Sequence, residues 1–185
     1  MPLAAWLEAD VSARRYYEPP QKASSPFDKG RDGFVIGEGA DVAVLQELNH
    51  ALDRNAHIYA ELTSYGVSAD ADYLTAPLPD GDGALRAVKV ALREARISAR
   101  KVGYINAHAT STPRDDAAES WMIKALMADP GLAFHDINVS STKGAIGHLL
   151  GGAGSVKAIF TALAVKNGVL PPIVNLEDEN QEYTD

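Results

Sequence analysis

Two short segments hold side chains whose types and spacing could do chemistry. In the first, Asn106-Ala107-His108-Ala109-Thr110-Ser111-Thr112-Pro113, an apolar strand runs directly into His108, and Pro113 is placed to open a helix in its first turn. The second, Ser140-Ser141-Thr142-Lys143-Gly144-Ala145-Ile146-Gly147-His148-Leu149-Leu150-Gly151-Gly152-Ala153-Gly154, sets Lys143 and His148 among glycines that let the backbone bend sharply and pack closely. Each histidine falls in a tight turn of small residues at the end of a predicted strand, the edge at which open α/β sheets bind ligands. Two neutral imidazoles near one point can donate hydrogen bonds to an oxygen on which negative charge develops. A helix predicted from about Gly152 starts just beyond His148, and a helix N-terminus favours the neutral ring. His50, His57 and His135 lie in ordinary polar or strand contexts and carry no comparable setting.

Other chemistries fail on spacing. Gly152-Ala153-Gly154 lacks the third glycine of a dinucleotide fingerprint, and no phosphate-loop pattern or zincin histidine pair is present. Asp80-Gly81-Asp82-Gly83 mimics the start of a calcium loop, but Ala84 and Ala91 stand where ligands are needed. A serine hydrolase built on Ser111 and His108 would lack the elbow motif.

The elements that position these residues read as an alternating series. Asp41 to Leu48 and His57 to Tyr65 are strand candidates, with a short helix around Asn49 to Arg54 between them. Gly66, Pro77, Pro79 and Asp80-Gly81-Asp82-Gly83 mark a long loop. Leu85, Val88, Leu92 and Ala95 share a helical face; Val102 to Ala107 is a buried strand; Ala118, Trp121, Met122, Ala125 and Leu126 repeat at helical spacing. Ile137 to Ser140 is a further strand, and Val156, Ile159, Phe160 and Leu163 line one face of a last helix, before Pro171-Pro172 ends regular structure. This alternation predicts a layered α/β unit with parallel strands.

Composition narrows the partners. The chain has 185 residues, a formal net charge of -8 and no cysteine. The acidic balance disfavours nucleic acid or an anionic membrane surface. Absence of cysteine removes disulfides, zinc ribbons and any thiol nucleophile from this chain. The longest apolar run, Ala158 to Val165, is fenced by Lys157 and Lys166 and is too short to span a bilayer. Met1 to Trp6 is too short for a secretory signal, so the chain is expected not to be secreted.

Arg31-Asp32-Gly33-Phe34-Val35 with Gly37-Glu38-Gly39-Ala40, followed in order by the His108 and Lys143 to Gly154 segments, resembles the C-terminal half of a β-ketoacyl-acyl-carrier-protein synthase, the condensing enzyme of type II fatty-acid synthesis. His108-Ala109-Thr110, where many bacterial members have glycine in the middle, is closer to the mitochondrial style, so the expected setting is cytoplasmic or mitochondrial. Residues 1–25 read as irregular, because Tyr16-Tyr17-Glu18-Pro19-Pro20 cannot sustain a helix or a central strand, and the resemblance implies a thiolase-like fold, with 26–185 as one layered α/β half of the five-layered condensing-enzyme core, usually in a homodimer. It implies decarboxylative condensation with malonyl-acyl-carrier protein, with no permanently bound cofactor and the substrate carried on phosphopantetheine. On the same grounds His108 and His148 match the active-site histidines, Lys143 the lysine of their network, and Thr110 and Thr112 the threonines that bond the pantetheine arm.

Three positions depart from that pattern. Lys157 occupies the place of a glutamate expected to pair with Lys143, so that one lysine deprotonates, a carboxylate such as Glu119 compensates, or the network is broken. Ile146 stands for threonine, and Asp115 for glycine. The family's cysteine lies upstream of the matched region. The chain is therefore expected to be a fragment without condensing activity of its own; a non-catalytic partner subunit like a chain-length factor is the alternative, and an unrelated acyl-transfer or hydrolytic enzyme a third. A lone half is expected to expose an apolar patch and self-associate.

Overall fold

The computed structural model describes residues 12–13, 19–73, 76–128 and 137–179. Within them the centre of the fold is a pair of three-residue strands, β1 (Tyr104–Asn106) and β2 (Asn138–Ser140), joined in parallel with Ile105 opposite Val139. Parallel neighbours need a crossover, and α3 (Pro113–Met127) lies between them in sequence. Thr112 caps α3, its hydroxyl accepting from Asp115 N, and Pro113 occupies the first turn as expected. Before the pair come α1 (Leu48–Asp53) and α2 (Asp82–Ala95); after it come the single turn α4 (Lys143–Ile146) and the long α5 (Ala153–Asn167). Short 3₁₀ turns occupy Pro20–Lys22, Ala99–Lys101 and Leu150–Gly152.

The core is small. Met122, Ile123, Met127 and Ile137 are buried together, with Leu85, Val88, Val102, Ile105 and Val139 packed against them. Thus α2 and α3 cover the strand pair through the periodic faces read in the sequence. One correction concerns α3, since Trp121 and Ala125 do not face the core. Trp121 is exposed, and the Lys124 ammonium lies 5.4 Å from its ring centroid. The helix turns Ile123 and Met127 inward in their place.

The two strands expected over 41–48 and 57–65 do not form. Residues 41–47 and 56–70 make no strand ladder, and α1 begins at Leu48. Strand propensity is realised only against a partner, and among the described residues these segments have none. Their apolar side chains accordingly face solvent: Val42 is 88% exposed, Leu45 74%, Leu62 71% and Tyr65 78%. Residues 64–68 run beside α2, with Ser64 Oγ donating to Ala91 O at 2.8 Å and Ser68 Oγ to Gly83 O. The loop expected through Gly83 ends earlier, because Asp80 Oδ1 accepts from Asp82 N at 3.0 Å and α2 starts there. No helix among the described residues is long and apolar enough to cross a membrane.

Candidate functional site

Parallel pairing puts the carboxyl ends of β1 and β2 at one edge, and both chemical segments leave from that edge. Ala107 N donates to Ser140 O at 2.7 Å, extending the ladder by one bond, and Ser141 Oγ then donates to Ala109 O at 2.8 Å. Lys143, only 1% exposed, starts α4 with its ammonium donating to the His108 carbonyl. The two segments are therefore stitched together over the strand ends before any third element joins.

The third element is the stretch around Phe34. His148 N donates to Val35 O at 2.7 Å and Gly37 N to His148 O at 3.0 Å, a short parallel bridge that carries His148 alongside Ile36. Glycine is required at 37, where a Cβ would lie 2.2 Å from Ile146 O, and at 147, where φ is +71°. The Phe34 and His148 rings meet edge to face at 5.3 Å, and His108 and His148 likewise at 5.4 Å. All three rings line one cavity of about 340 Å³, together with Thr110, Asp115 and Glu119.

The imidazoles are held neutral. Burial, followed by the charges of Lys143, Lys157 and His148, lowers His108 to about 3. The open side of the His108 ring meets solvent, which moderates the effect without changing its direction. His148 falls to about 4, through burial first and then Lys143 and Lys157. Leu150 N donates to His148 Nδ1 at 3.0 Å, so Nδ1 is an acceptor and the ring proton belongs on Nε2. Leu150 has a left-handed backbone, φ +52°, in the 3₁₀ turn that follows the histidine. The sequence signal was a helix start near Gly152; the group that acts on the histidine is one amide two residues along.

The neighbourhood of His108 is organised by carboxylates. Glu119 accepts from His108 N at 2.7 Å and from Ala109 N at 2.6 Å, holding the turn that follows β1. Asp116, wholly buried, accepts from Phe27 N at 2.8 Å through Oδ2 and from Ser111 N at 3.1 Å through Oδ1, with Arg31 Nε 3.6 Å from Oδ2. Burial raises the Asp116 carboxyl to about 7, against the pull of the Phe27 amide and Arg31; with an N–H aimed at each oxygen, the ionised form is the one that fits. Arg31 also donates to the carbonyls of Thr112, Asp28 and Pro113. Ser111 sits at φ +69°, a strained conformation for a residue with a Cβ, and is fixed by Ser25 N on its hydroxyl and Gly33 N on its carbonyl.

The two lysines do repel, and Glu119 lies within the field of both. Burial lowers Lys143 to about 8, with Lys157 adding to the shift and Glu119, Asp116 and Asp115 opposing it. Burial also lowers Lys157, again opposed by Glu119. Both shifts run the same way, and the Glu119 charge opposes each. Thr110 and Thr112 are buried, their hydroxyls 2.9 Å apart. Asp70, Pro77 and Gly81 complete the cavity wall from a stretch that the sequence marked only as a loop, and a lone aspartate in a loop offers no signal. Among the described residues there is no group of three or more histidine or carboxylate side chains suited to a metal ion.

The carboxyl edge of the parallel strand pair thus gathers two histidines, a buried lysine and two buried threonines. The chain belongs to the β-ketoacyl synthase family: the family's C-terminal domain matches residues 59–177. It is 50% identical over 164 residues to 3-oxoacyl-[acyl-carrier-protein] synthase 2 of Vibrio harveyi, covering 89% of this chain and 39% of the relative. To the mitochondrial 3-oxoacyl-[acyl-carrier-protein] synthase of Arabidopsis thaliana it is 47% identical over 176 residues, 95% of this chain and 38% of the relative. A type II polyketide ketosynthase solved with its acyl-carrier protein superposes with a TM-score of 0.92 at 32% identity, over 97% of this chain and 43% of that one. The chain thus spans about two fifths of the relatives it matches, and the fold is that of the thiolase-like condensing enzymes.

Proposed function

We propose that this chain supplies the decarboxylation half of a 3-oxoacyl-acyl-carrier-protein synthase site. The observation that carries the reading is the pair of neutral imidazoles, 5.4 Å apart in one cavity, with Leu150 N on His148 Nδ1 leaving Nε2 as the donor. When the carbon–carbon bond to the carboxylate of a malonyl thioester breaks, carbon dioxide leaves and the electron pair moves onto the thioester oxygen as an enolate. His108 and His148 donate to that oxygen, and loss of one such donor costs about 3–4 kcal/mol of barrier. Neutral rings suit the task, since each has one N–H to give and keeps it. Lys143 anchors the His108 turn through its carbonyl and, by its charge, keeps both rings from taking up a second proton. Thr110 and Thr112 form the wall along which the pantetheine arm of an acyl-carrier protein lies.

The enolate carbon then attacks an acyl thioester and expels a thiolate. With no cysteine in this sequence, that thiol comes from another segment of polypeptide. The whole enzyme acts as a homodimer, in a mitochondrion or a bacterium-like cytoplasm, a setting supported by the relatives named above. The test is to incubate the chain with malonyl- and acyl-acyl-carrier protein, alone and after reconstitution with the cysteine-bearing half of a condensing enzyme, and to follow carbon dioxide and β-ketoacyl product by mass spectrometry. Product is expected only after reconstitution, and His148→Ala is expected to lower it by about 100-fold or more. Product from the chain alone, or a reconstituted enzyme indifferent to His148→Ala, overturns the reading.

A further inference from the structure

Asp115 stands at the third residue of α3, where a carboxyl commonly turns back to the backbone N–H of the capping residue. It does not do so here. Its Oδ2 accepts from the Thr112 hydroxyl at 2.9 Å and from the Thr110 hydroxyl at 3.2 Å, and the two hydroxyls lie 2.9 Å from each other. Thr112 Oγ1 accepts in turn from Asp115 N.

Proton counting decides what this triangle can offer a ligand. Each threonine hydroxyl has one proton to give, and an ionised carboxylate has none. Whether both protons go to Oδ2, or one passes through the neighbouring hydroxyl, both are spent inside the cluster. What remains toward the cavity is acceptor capacity only: a lone pair on Thr110, and Asp115 Oδ1, which has no hydrogen bond of its own among the described residues. Thr110 and Thr112 are 2% and 4% exposed, whereas Asp115 is half-buried and lines the 340 Å³ cavity beside Thr110, so the carboxylate is the part a ligand meets. The same cavity is lined by His108 and His148, each a neutral ring with one N–H to give, on Nε2 in His148. The histidines therefore offer N–H donors to a ligand, whereas the Thr110, Thr112 and Asp115 cluster offers acceptors only.

We propose that Asp115 is a specificity-determining residue that makes the threonine wall accept from an amide N–H rather than donate to an amide carbonyl, and so fixes which way a pantetheine-type secondary amide faces. The inference rests on the arm-binding role given to Thr110 and Thr112 above and adds the polarity of that contact. An amide carbonyl turned to this wall would meet a carboxylate with no free hydroxyl proton between them.

The test uses the whole chain, labelled with ¹³C at threonine methyls, titrated with pantetheine and with two analogues in which one or the other amide N–H is replaced by an ester oxygen. The ester keeps each carbonyl, as a weaker acceptor, and puts an oxygen where the N–H donor was. One of the two replacements is expected to weaken binding roughly tenfold, the scale of a hydrogen bond to a charged acceptor. Asp115→Asn and Asp115→Gly, each checked for the wild-type methyl spectrum, are expected to reduce that discrimination to about threefold or less. If pantetheine and both esters shift the Thr110 and Thr112 methyls with equal affinity, the polarity assigned to Asp115 is wrong while the arm site stands. If no ligand shifts those methyls, the arm-binding role itself fails and takes the polarity with it.

Discussion

Asp116 is the joint on which the His108 segment hangs, and its replacement tests whether the site is held from below rather than by the histidines themselves. Its carboxylate accepts one N–H on each oxygen, from Phe27 and from Ser111, beside Arg31 in a place with no solvent. Asp116→Asn is nearly isosteric, yet it must turn its NH₂ toward one of those two N–H groups, a donor against a donor. Asp116→Ala orphans both amides and removes the charge beside Arg31, which keeps its three carbonyl contacts. One orphaned buried N–H costs about 1–3 kcal/mol, and breaking a buried ion pair about 3–5. Because the carbonyls retain part of the arginine's solvation, the low end applies: about 3 kcal/mol for alanine and about 2 for asparagine. Against a total stability of roughly 5–15 kcal/mol, either is a large loss. With a urea slope of about 2 kcal/mol/M, alanine should lower the midpoint by roughly 1.5 M. Equilibrium urea unfolding followed by far-ultraviolet circular dichroism gives the midpoint, and amide hydrogen exchange at Phe27 and Ser111 locates the damage. An asparagine variant within 0.5 kcal/mol of wild type, by the same analysis at about 10% precision, would refute the donor-against-donor argument.

Two further outcomes follow from the charges and the exposed surface. His108 and His148, lowered to about 3 and about 4 from an unfolded value of 6.5, are bases that the unfolded chain protonates more readily, so stability is full above pH 6.5 and falls as pH drops below it, to about 4 for His148 and about 3 for His108. Histidine ring ¹H–¹³C titration should show both midpoints below pH 5 and both raised in Lys143→Met, with ¹⁵N shifts placing the His148 proton on Nε2; a midpoint near 6.5 for His148 would contradict the reading. Val42, Val44, Leu45, Leu62, Tyr65 and Val67 are all more than 70% exposed, and apolar exposure of this kind is expected to drive self-association. Light scattering should show mass rising with concentration and falling back in a Val42→Ser, Leu45→Ser variant, whereas a monodisperse monomer at high concentration would show that the patch does not act as one.

What could be read from sequence was whatever is decided locally. Pro113 and Thr112 announce the start of α3, and apolar spacing announces α2, α3 and α5, because caps and periodicity are properties of neighbours in the chain. The histidines and Lys143 were legible as strand-end residues because parallel pairing brings successive carboxyl ends to one edge. Residues 41–48 and 57–65 failed for the complementary reason: their alternating pattern states that they suit a ladder, and only a partner strand can supply one. The solvent-facing Val42 and Leu62 are the visible form of that unmet requirement.

The contacts that set the chemistry are of a different kind, and the sequence hides them. Nothing about Leu150 as a leucine shows that its amide fixes the His148 tautomer; the backbone at φ +52° does that, and its side chain is incidental. Glu119 serves His108 through two main-chain amides eleven and ten residues back, while its charge moderates Lys143 and Lys157. Lys143 and Lys157 thus share one carboxylate, Glu119, whose charge acts on both. Asp115 and Asp116 also act on Lys143, but of the three carboxylates only Glu119 acts on Lys157 as well. Removing Glu119 would leave Asp115 and Asp116 to offset Lys143 and none of the three carboxylates to offset Lys157, which makes Glu119 the side chain that couples the two cations.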